Sequence, residues 1–219
     1  MLRCGFAAGL AAWLAMAPCA PVLADTAQAR PSSAVAAAAG TTQVAFPPWD
    51  NAERLVIDAI DAAKKQVLVQ AYAFTSRGIA GALIAAKRRG VDVRITADRG
   101  QTLSGDNSRI PELAAAGIPV FIEVRYASAH NKTMVIDAGG SEPVVLTGSF
   151  NWTWGAQHRN AENLLILRRN PELTRAYLDN WQRHLADAVP YTEVAGSAAS
   201  SGVRGAHGAH GGTAQPSSK

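Results

Sequence analysis

The chain has 219 residues, a formal net charge of +4 and a pI near 9.3. This length holds one domain with a sizeable core and excludes two full domains once the low-complexity ends are set aside. The basic balance favours an acidic partner, such as nucleic acid or an anionic membrane surface.

Residues 1–24 have the pattern of a secretory signal peptide, with a basic start at Arg3, an apolar stretch over 5–17 and a cleavage point near Ala24. A membrane anchor is the alternative, but the apolar stretch is shorter than the roughly 20 residues of a spanning helix. Lipid attachment at Cys19 is disfavoured because Pro18 precedes it. We therefore expect a periplasmic or secreted protein.

Both cysteines of the chain, Cys4 and Cys19, lie in this removable segment. The exported protein would carry no thiol, which excludes disulfides, thiolate zinc sites and cysteine nucleophiles. Residues 25–45 and 191–219 are low in apolar residues and predict a flexible leader and a disordered tail rich in Gly, Ser and His. The two tail histidines at 207 and 210 lack a fixed geometry, so we expect no metal site and no cofactor.

Between these ends, at 46–190, helical and strand patterns alternate. Asp50 and Glu53 predict the start of a helix that runs to Lys65, and a second helix over 78–89 is capped by Ser76 and closed by Gly90. A loop is expected at 98–108 and a short helix at 110–116, and Pro171 begins a final helix that ends near 188. Strands are predicted at 66–74, 91–97, 119–124, 130–137, 144–149 and 162–168. The alternation indicates an α/β fold, a sandwich with a mixed sheet flanked by helices.

Polar side chains interrupt two of these strands, in HNKTMVID (130–137) and TGSFNWT (147–153). Side chains two apart along a strand share a face, so His130 projects with Lys132, and Ser149 with Asn151. If the two segments pair as neighbours, these four groups meet at one end of the sheet. An imidazole, a cation and two hydrogen-bond donors are complementary to a phosphate.

Such a set would use the imidazole as nucleophile and the other groups to hold the non-bridging oxygens as charge builds up. A carboxylate is also needed to orient the imidazole, and Glu162 in NAEN is the candidate. A lone His-x-Lys pattern is usually a solvated surface pair, so the prediction depends on the whole combination.

The combination resembles the phospholipase D superfamily. HNKTMVID fits its His-x-Lys-x-x-x-x-Asp signature, and GSFN fits the Gly-Ser-x-Asn that accompanies it. The stretches YAFTSRGIAGALIAAKRRGVDVRITAD, GIPV and NAENLLIL are similar to the single-motif branch of bacterial periplasmic endonucleases. The resemblance covers about 46–188 and implies a phospholipase D-like αβα sandwich.

The resemblance also implies roles for individual residues. His130 would be the nucleophile or acid, Lys132 the phosphate-binding lysine and Glu162 the group that orients the histidine, with Ser149 and Asn151 as supporting donors. Asp137 completes the signature, but strand alternation places it opposite His130, so we expect it to be structural and to pair with an arginine. The connection between Asp137 and Gly148 is longer than is usual in the family, which puts the hairpin geometry in question.

The family mechanism uses two histidines on opposite sides of the phosphorus, and this chain has one such motif. A homodimer would supply the second copy. His158 is an internal competitor, although a loop residue near the site is the simpler interpretation. Trp152 and Trp154 could stack on bases, but closure of the core or of the dimer contact is the more common role. Substrate phosphates could be contacted by four arginines in or beside loops: Arg77, Arg99, Arg125 and Arg159.

The leading hypothesis is an exported, metal-independent phosphodiesterase that cleaves DNA or RNA through a phosphohistidine. One alternative keeps the chemistry and changes the substrate to a phospholipid, as in a phospholipase D or cardiolipin hydrolase. An exposed apolar lip beside the site would favour it. The other alternative, a nucleic-acid-binding protein without catalysis, leaves the full set of polar groups unexplained.

Overall fold

A mixed sheet of eight strands organises residues 35–104 and 107–196, the parts of the chain that the computed structural model describes. The predicted signal peptide, residues 25–34 of the leader and residues 197–219 of the tail lie outside these residues. The strands are β1 (Thr41–Ala45), β2 (Gln66–Ala71), β3 (Asp92–Asp98), β4 (Val120–Glu123), β5 (Lys132–Ile136), β6 (Val144–Gly148), β7 (Leu164–Arg168) and β8 (Ala188–Pro190). The helices are α1 (Ala52–Ala62), α2 (Arg77–Arg88), α3 (Arg99–Leu103), α4 (Ile110–Ala115), α5 (Trp154–His158) and α6 (Pro171–Ala186).

The strand order across the sheet is β1-β7-β6-β5-β2-β3-β4-β8. The β2–β3 and β3–β4 pairs are parallel, because α2 and α4 carry the chain back between them, and the other pairs are antiparallel. The β5–β6 hairpin keeps a regular register from Thr133 opposite Thr147 to Ile136 opposite Val144. The long connection after Asp137 therefore leaves the strand pairing intact.

Helices cover both faces of the sheet. On β2, Val67 and Val69 face the large core cluster that contains the buried residues of α1 and α2. Leu68, one residue out of step, packs on the opposite face with Trp181 of α6. This alternation confirms the predicted αβα sandwich and explains why β2 is apolar at nearly every position.

The caps of α1 and α2 follow from local sequence. Ser76 caps α2 as predicted, with its Oγ accepting from the amide of Ile79 at 3.0 Å. The start of α1 differs, because its cap is Asn51, whose Oδ1 accepts from the amide of Arg54 at 2.9 Å. Glu53, predicted to complete a capping box, instead accepts a hydrogen bond from the Ser76 hydroxyl. It ties α1 to α2.

Five segments differ from the sequence prediction, and one of them is β8, which follows the final helix and was not predicted. Residues 41–45, expected in the leader, form β1 and pair with β7 at the sheet edge. Residues 191–196, expected in the tail, are helical, and Tyr191 packs against the core. The predicted loop after β3 contains α3, whose first amides Asp98 caps, and α5 was missed because five residues carry too little periodicity. Within residues 35–104 and 107–196, no helix has the length and hydropathy needed to cross a bilayer.

Candidate active site

Four strands bring the motif residues to one edge of the sheet. The register places Lys132, the first residue of β5, opposite Ala71 at the end of β2. On the other side of β5, β6 ends at Gly148, which lies opposite Leu164 at the start of β7. The antiparallel order therefore brings the starts of β5 and β7 together with the ends of β2 and β6. We call this place, which holds His130, Lys132, Ser149 and Glu162, the motif edge.

Lys132 is the buried cation of the motif edge, with a relative exposure of 6%. Its Nζ donates to the backbone carbonyl of His130 at 2.6 Å and lies 4.5 Å from the centre of the Tyr72 ring. Burial lowers the pKa of Lys132, whereas the carboxylates of Glu162 and Asp98 act to raise it. The ammonium group is thus held in a fixed position next to His130.

The imidazole of His130 is exposed and packs against Tyr72, with ring centres 4.3 Å apart. The loop that carries His130 is held in place by the buried side chain of Asp98. One carboxylate oxygen of Asp98 accepts from the amide of Ala129 at 2.9 Å, and the other caps α3 through the amide of Gln101 at 2.8 Å. Sequence reasoning missed both Tyr72, which directly follows β2, and Asp98, the last residue of β3.

Ser149 and Glu162 form a short hydrogen bond at the same edge. The Ser149 hydroxyl donates to Glu162 Oε2 at 2.5 Å, and Asn160 donates to the other oxygen of that carboxylate at 2.9 Å. Ser149 Oγ in turn accepts from the backbone amide of Asn163 at 3.0 Å. In the described part of the chain, no hydrogen bond joins Glu162 to the ring of His130.

Gly148 allows this arrangement. Its φ is +148°, and a Cβ at this position would lie 2.3 Å from the carbonyl oxygen of Asn163. That carbonyl accepts from the amides of Ser149 at 3.1 Å and Phe150 at 3.2 Å. The close approach of two backbones therefore explains the glycine of the Gly-Ser-x-Asn motif.

Asn151 and Trp152, which follow this glycine in the chain, have different surroundings. The side-chain oxygen of Asn151 is buried and has no hydrogen-bond partner among the described residues, so its amide keeps unused hydrogen-bonding capacity beside the site. Trp152 is fully buried and donates from Nε1 to the carbonyl of Gln70 at 3.0 Å. Trp152 thus belongs to the core, the commoner of the two roles considered for it.

Asp137 lies just beyond the far end of β5, and its partners differ from the arginine that was expected. No arginine pairs with it in the described residues. Its carboxylate accepts from three successive amides, those of Lys64 at 2.8 Å, Lys65 at 2.7 Å and Gln66 at 2.8 Å. The turn from α1 into β2 leaves these amides without backbone partners, and one carboxylate satisfies all three.

The four predicted substrate-binding arginines are all exposed, but their environments differ. Arg77 begins α2, and Arg99 lines a cavity of about 420 Å³ that also includes Asp98. Arg125 forms a two-pronged salt bridge with Asp187 at 2.8 Å, so its guanidinium is already engaged. Arg159 lies over the Trp154 ring at 4.9 Å.

A second histidine, His184, contacts the segment that carries the motif, and this contact was not predicted. His184 of α6 pairs through Nδ1 with the buried carboxylate of Glu123 at 2.5 Å. Its Nε2 lies 3.4 Å from Nδ2 of Asn131, the neighbour of His130 on the opposite face. His184 therefore anchors the motif to α6.

His158, the internal competitor considered in the sequence analysis, lies on α5. Its ring stacks on that of Trp154, with centres 4.8 Å apart.

A cavity of about 560 Å³ lies at the other end of β5, where it is lined by Lys64, Asp137 and Arg168. It is separate from the motif edge. Within residues 35–104 and 107–196, no cluster of three or more His, Cys, Asp and Glu side chains is arranged to hold a metal ion.

Comparison with known proteins gives consistent matches. The family model described as "Cardiolipin synthase, PLD-like domain" matches residues 56–185. Phospholipase D of Rickettsia bellii is 39% identical over 136 residues, 62% of this chain and 65% of the relative. The mitochondrial cardiolipin hydrolase of Xenopus laevis is 31% identical over 147 residues, 67% of each chain. The chain thus spans about two thirds of the length of these relatives.

Among solved structures, Nuc from Salmonella typhimurium, a phospholipase D family member, superposes with a TM-score of 0.65 and 35% identity. The superposition covers 69% of this chain and 97% of Nuc. NucT from Helicobacter pylori shares the fold with a TM-score of 0.61 and 24% identity. Because the family model covers more than half of the chain, and the motif edge lies within it, the chain belongs to the phospholipase D-like family of phosphodiesterases.

Proposed function

We propose that this chain is an exported, metal-independent phosphodiesterase that cleaves DNA, RNA or both. The carrying observation is the motif edge itself: the ammonium of Lys132 is fixed 2.6 Å from the His130 carbonyl, beside an exposed imidazole. A buried cation and hydroxyl and amide groups at a single edge suit a phosphodiester, whose charge grows in the transition state. The basic chain and the predicted signal peptide support an exported nuclease.

In the proposed reaction a nitrogen of His130 attacks phosphorus, and the bond from phosphorus to the leaving oxygen breaks. A second imidazole protonates that oxygen. The same imidazole then takes a proton from water, whose oxygen attacks the phosphohistidine and breaks the phosphorus–nitrogen bond. Lys132, Ser149 and Asn151 hold the non-bridging oxygens throughout.

The second imidazole would come from a second copy of the chain. Each chain has one His-x-Lys motif, and His130 is exposed where a twofold partner could face it. Since Glu162 and Ser149 are bonded to each other within the chain, we propose that assembly of the dimer brings Glu162 to an imidazole and sets its tautomer.

The test uses mature protein in excess EDTA with plasmid DNA, single-stranded DNA, RNA and cardiolipin vesicles. We expect nucleic-acid cleavage with chelator present and its loss in His130→Ala. His207→Ala, in the tail, serves as the histidine control and should leave cleavage unchanged. Activity that survives His130→Ala would refute the assigned nucleophile.

A mixing experiment tests the shared site. If both imidazoles are required, wild type re-equilibrated with an equal amount of inactive His130→Ala should retain about one quarter of the activity of the same total amount of wild type, because only wild-type pairs are active. A self-sufficient chain would retain about one half. Retention of one half would exclude the dimeric site.

One observation favours the phospholipid alternative. Phe46 and Trp49 are exposed, Trp49 at 86%, and they flank Pro47, whose carbonyl accepts from the amide of Glu162 at 3.3 Å. This apolar loop beside the site could enter a bilayer. Turnover of cardiolipin without nucleic-acid cleavage in the assay above would establish this reading.

A further inference from the structure

We propose that Trp154, His158 and Arg159 form a stacking subsite for an unpaired base of the substrate strand. This inference rests on the proposed nuclease function and gives it a preference for single-stranded nucleic acid. The three residues, the aromatic stack, lie at α5, a helix that the chemistry of the motif edge does not use.

The aromatic stack is already assembled within the chain. The Trp154 and His158 rings lie one helical turn apart, with centres 4.8 Å apart and planes inclined by 37°. The guanidinium carbon of Arg159 lies 4.9 Å from the centre of the Trp154 ring. Trp154 is nevertheless 51% exposed, and His158 and Arg159 are also exposed. An added base would extend a stack that exists before binding, so little ordering entropy is lost.

α5 is anchored by a cap at its first turn and by a buried side chain on its inner side. Thr153 caps the helix, with Oγ1 accepting from the amide of Ala156 at 3.1 Å. On the inner side Gln157 is buried, accepts from the amide of Glu53 at 2.9 Å and donates to the carbonyl of Asp50 at 3.0 Å. Ala156 and Gln157 are the buried residues of α5, whereas Trp154 and His158 are exposed.

The position of the stack also suits a nucleic-acid strand. Trp154 follows Asn151 by three residues and Arg159 precedes Glu162 by three, so both ends of α5 lead directly into the motif edge. Arg77 is close by, since the amides of Thr75 and Ser76 donate to the carbonyl of Trp152 at 2.9 and 3.0 Å. A base can therefore stack here while neighbouring phosphates meet cationic groups.

The chemistry favours a base over a lipid chain as the occupant. A side chain that enters a bilayer needs an apolar surface without charge. The Trp154 ring instead has the guanidinium of Arg159 at 4.9 Å and the imidazole of His158 at 4.8 Å. Cations and flat rings in one stack are typical of single-strand binding. The isolated, uncharged Trp49 would suit a bilayer better and serves as a control.

The experiment compares kcat/KM for an oligothymidylate with that for an oligonucleotide of equal length in which tetrahydrofuran replaces every base. We expect Trp154→Leu to lower the ratio of the two values about tenfold, because leucine keeps apolar bulk but has no ring to stack. Trp154→Phe should restore most of the ratio. Trp49→Leu, which removes an indole that is even more exposed (86% against 51% for Trp154), should leave the ratio unchanged.

Other results would overturn the subsite. An unchanged ratio in Trp154→Leu would do so, as would an equal loss on both substrates. Sedimentation showing that Trp154→Leu becomes a monomer would assign the stack to the dimer contact. Lost binding to cardiolipin vesicles with the ratio intact would assign it to a lipid surface. If the wild type cleaves neither oligonucleotide, the nuclease function itself fails, and the subsite with it.

Discussion

Lys132 donates a hydrogen bond to the carbonyl oxygen of His130, two residues earlier in the chain, at 2.6 Å. The cation is thereby held next to the backbone of the residue that carries the exposed imidazole before any substrate arrives. Lys132 is only 6% exposed, and this burial restricts the movement of its ammonium group and lowers its pKa.

We expect kcat/KM to fall on the alkaline side at a lower pH than an ordinary lysine would give. Burial lowers the pKa of Lys132 in the folded protein below the ordinary lysine value of 10.5, so the charge that binds phosphate is lost as pH rises through the lowered pKa. A pH–rate profile measures this limb. Lys132→Arg, which stays charged, should move the limb upward even if the rate is lower; an unmoved limb would assign it to another group.

The same shift predicts a stability effect. Because the fold favours neutral Lys132, the charged form costs stability at neutral pH, and the cost is relieved as pH rises through the folded pKa. We therefore expect Lys132→Met to abolish turnover while raising the urea midpoint at pH 7. A variant that is both inactive and less stable would show that the contacts to His130 and Tyr72 outweigh the desolvation.

Asp137→Asn should destabilise the fold by about 2 kcal/mol, since an amide offers one acceptor where the carboxylate serves three backbone amides. Asparagine tolerates the positive φ of 49° at this position, so backbone strain does not enter. Urea unfolding measures the change. Asp179→Asn, which removes an exposed ion pair with Arg175, is the control and should cost under about 0.5 kcal/mol.

Gly148→Ala should greatly reduce both stability and activity, because the new Cβ would meet the Asn163 carbonyl at 2.3 Å and displace Ser149. Gly81→Ala in α2 is the matched control. Nothing lies within 4 Å of a Cβ there, and alanine should stabilise the helix by roughly 0.5–1 kcal/mol. Thermal unfolding and cleavage assays distinguish the two variants, and a fully active Gly148→Ala would contradict the close approach.

His184→Ala should cost roughly 3 kcal/mol, because it leaves the carboxylate of Glu123, 3% exposed, without its partner. Adding Glu123→Gln should recover part of the loss, since a neutral amide is cheaper to bury alone. A double-mutant cycle from urea unfolding measures the coupling. Strictly additive losses would show that the two side chains act independently.

The order of most helices and strands could be predicted from the sequence, because apolar periodicity and caps are local. Ser76 caps α2 as its pattern indicates, and β2 is recognised by its apolar run. β1 could not be predicted in this way. Its TTQVA sequence has little apolar character, and it becomes a strand because β7 offers an unpaired edge.

The sequence by itself determined the family and the residues of the motif, because spacing along a strand sets which side chains share a face. Only the tertiary structure decided their surroundings: that Asp137 caps a turn, that Asp98 and Tyr72 support His130, and that Glu162 bonds Ser149. The reason is physical. The partners just named lie as many as 73 positions apart, and they meet only after strand order and register bring their backbones together.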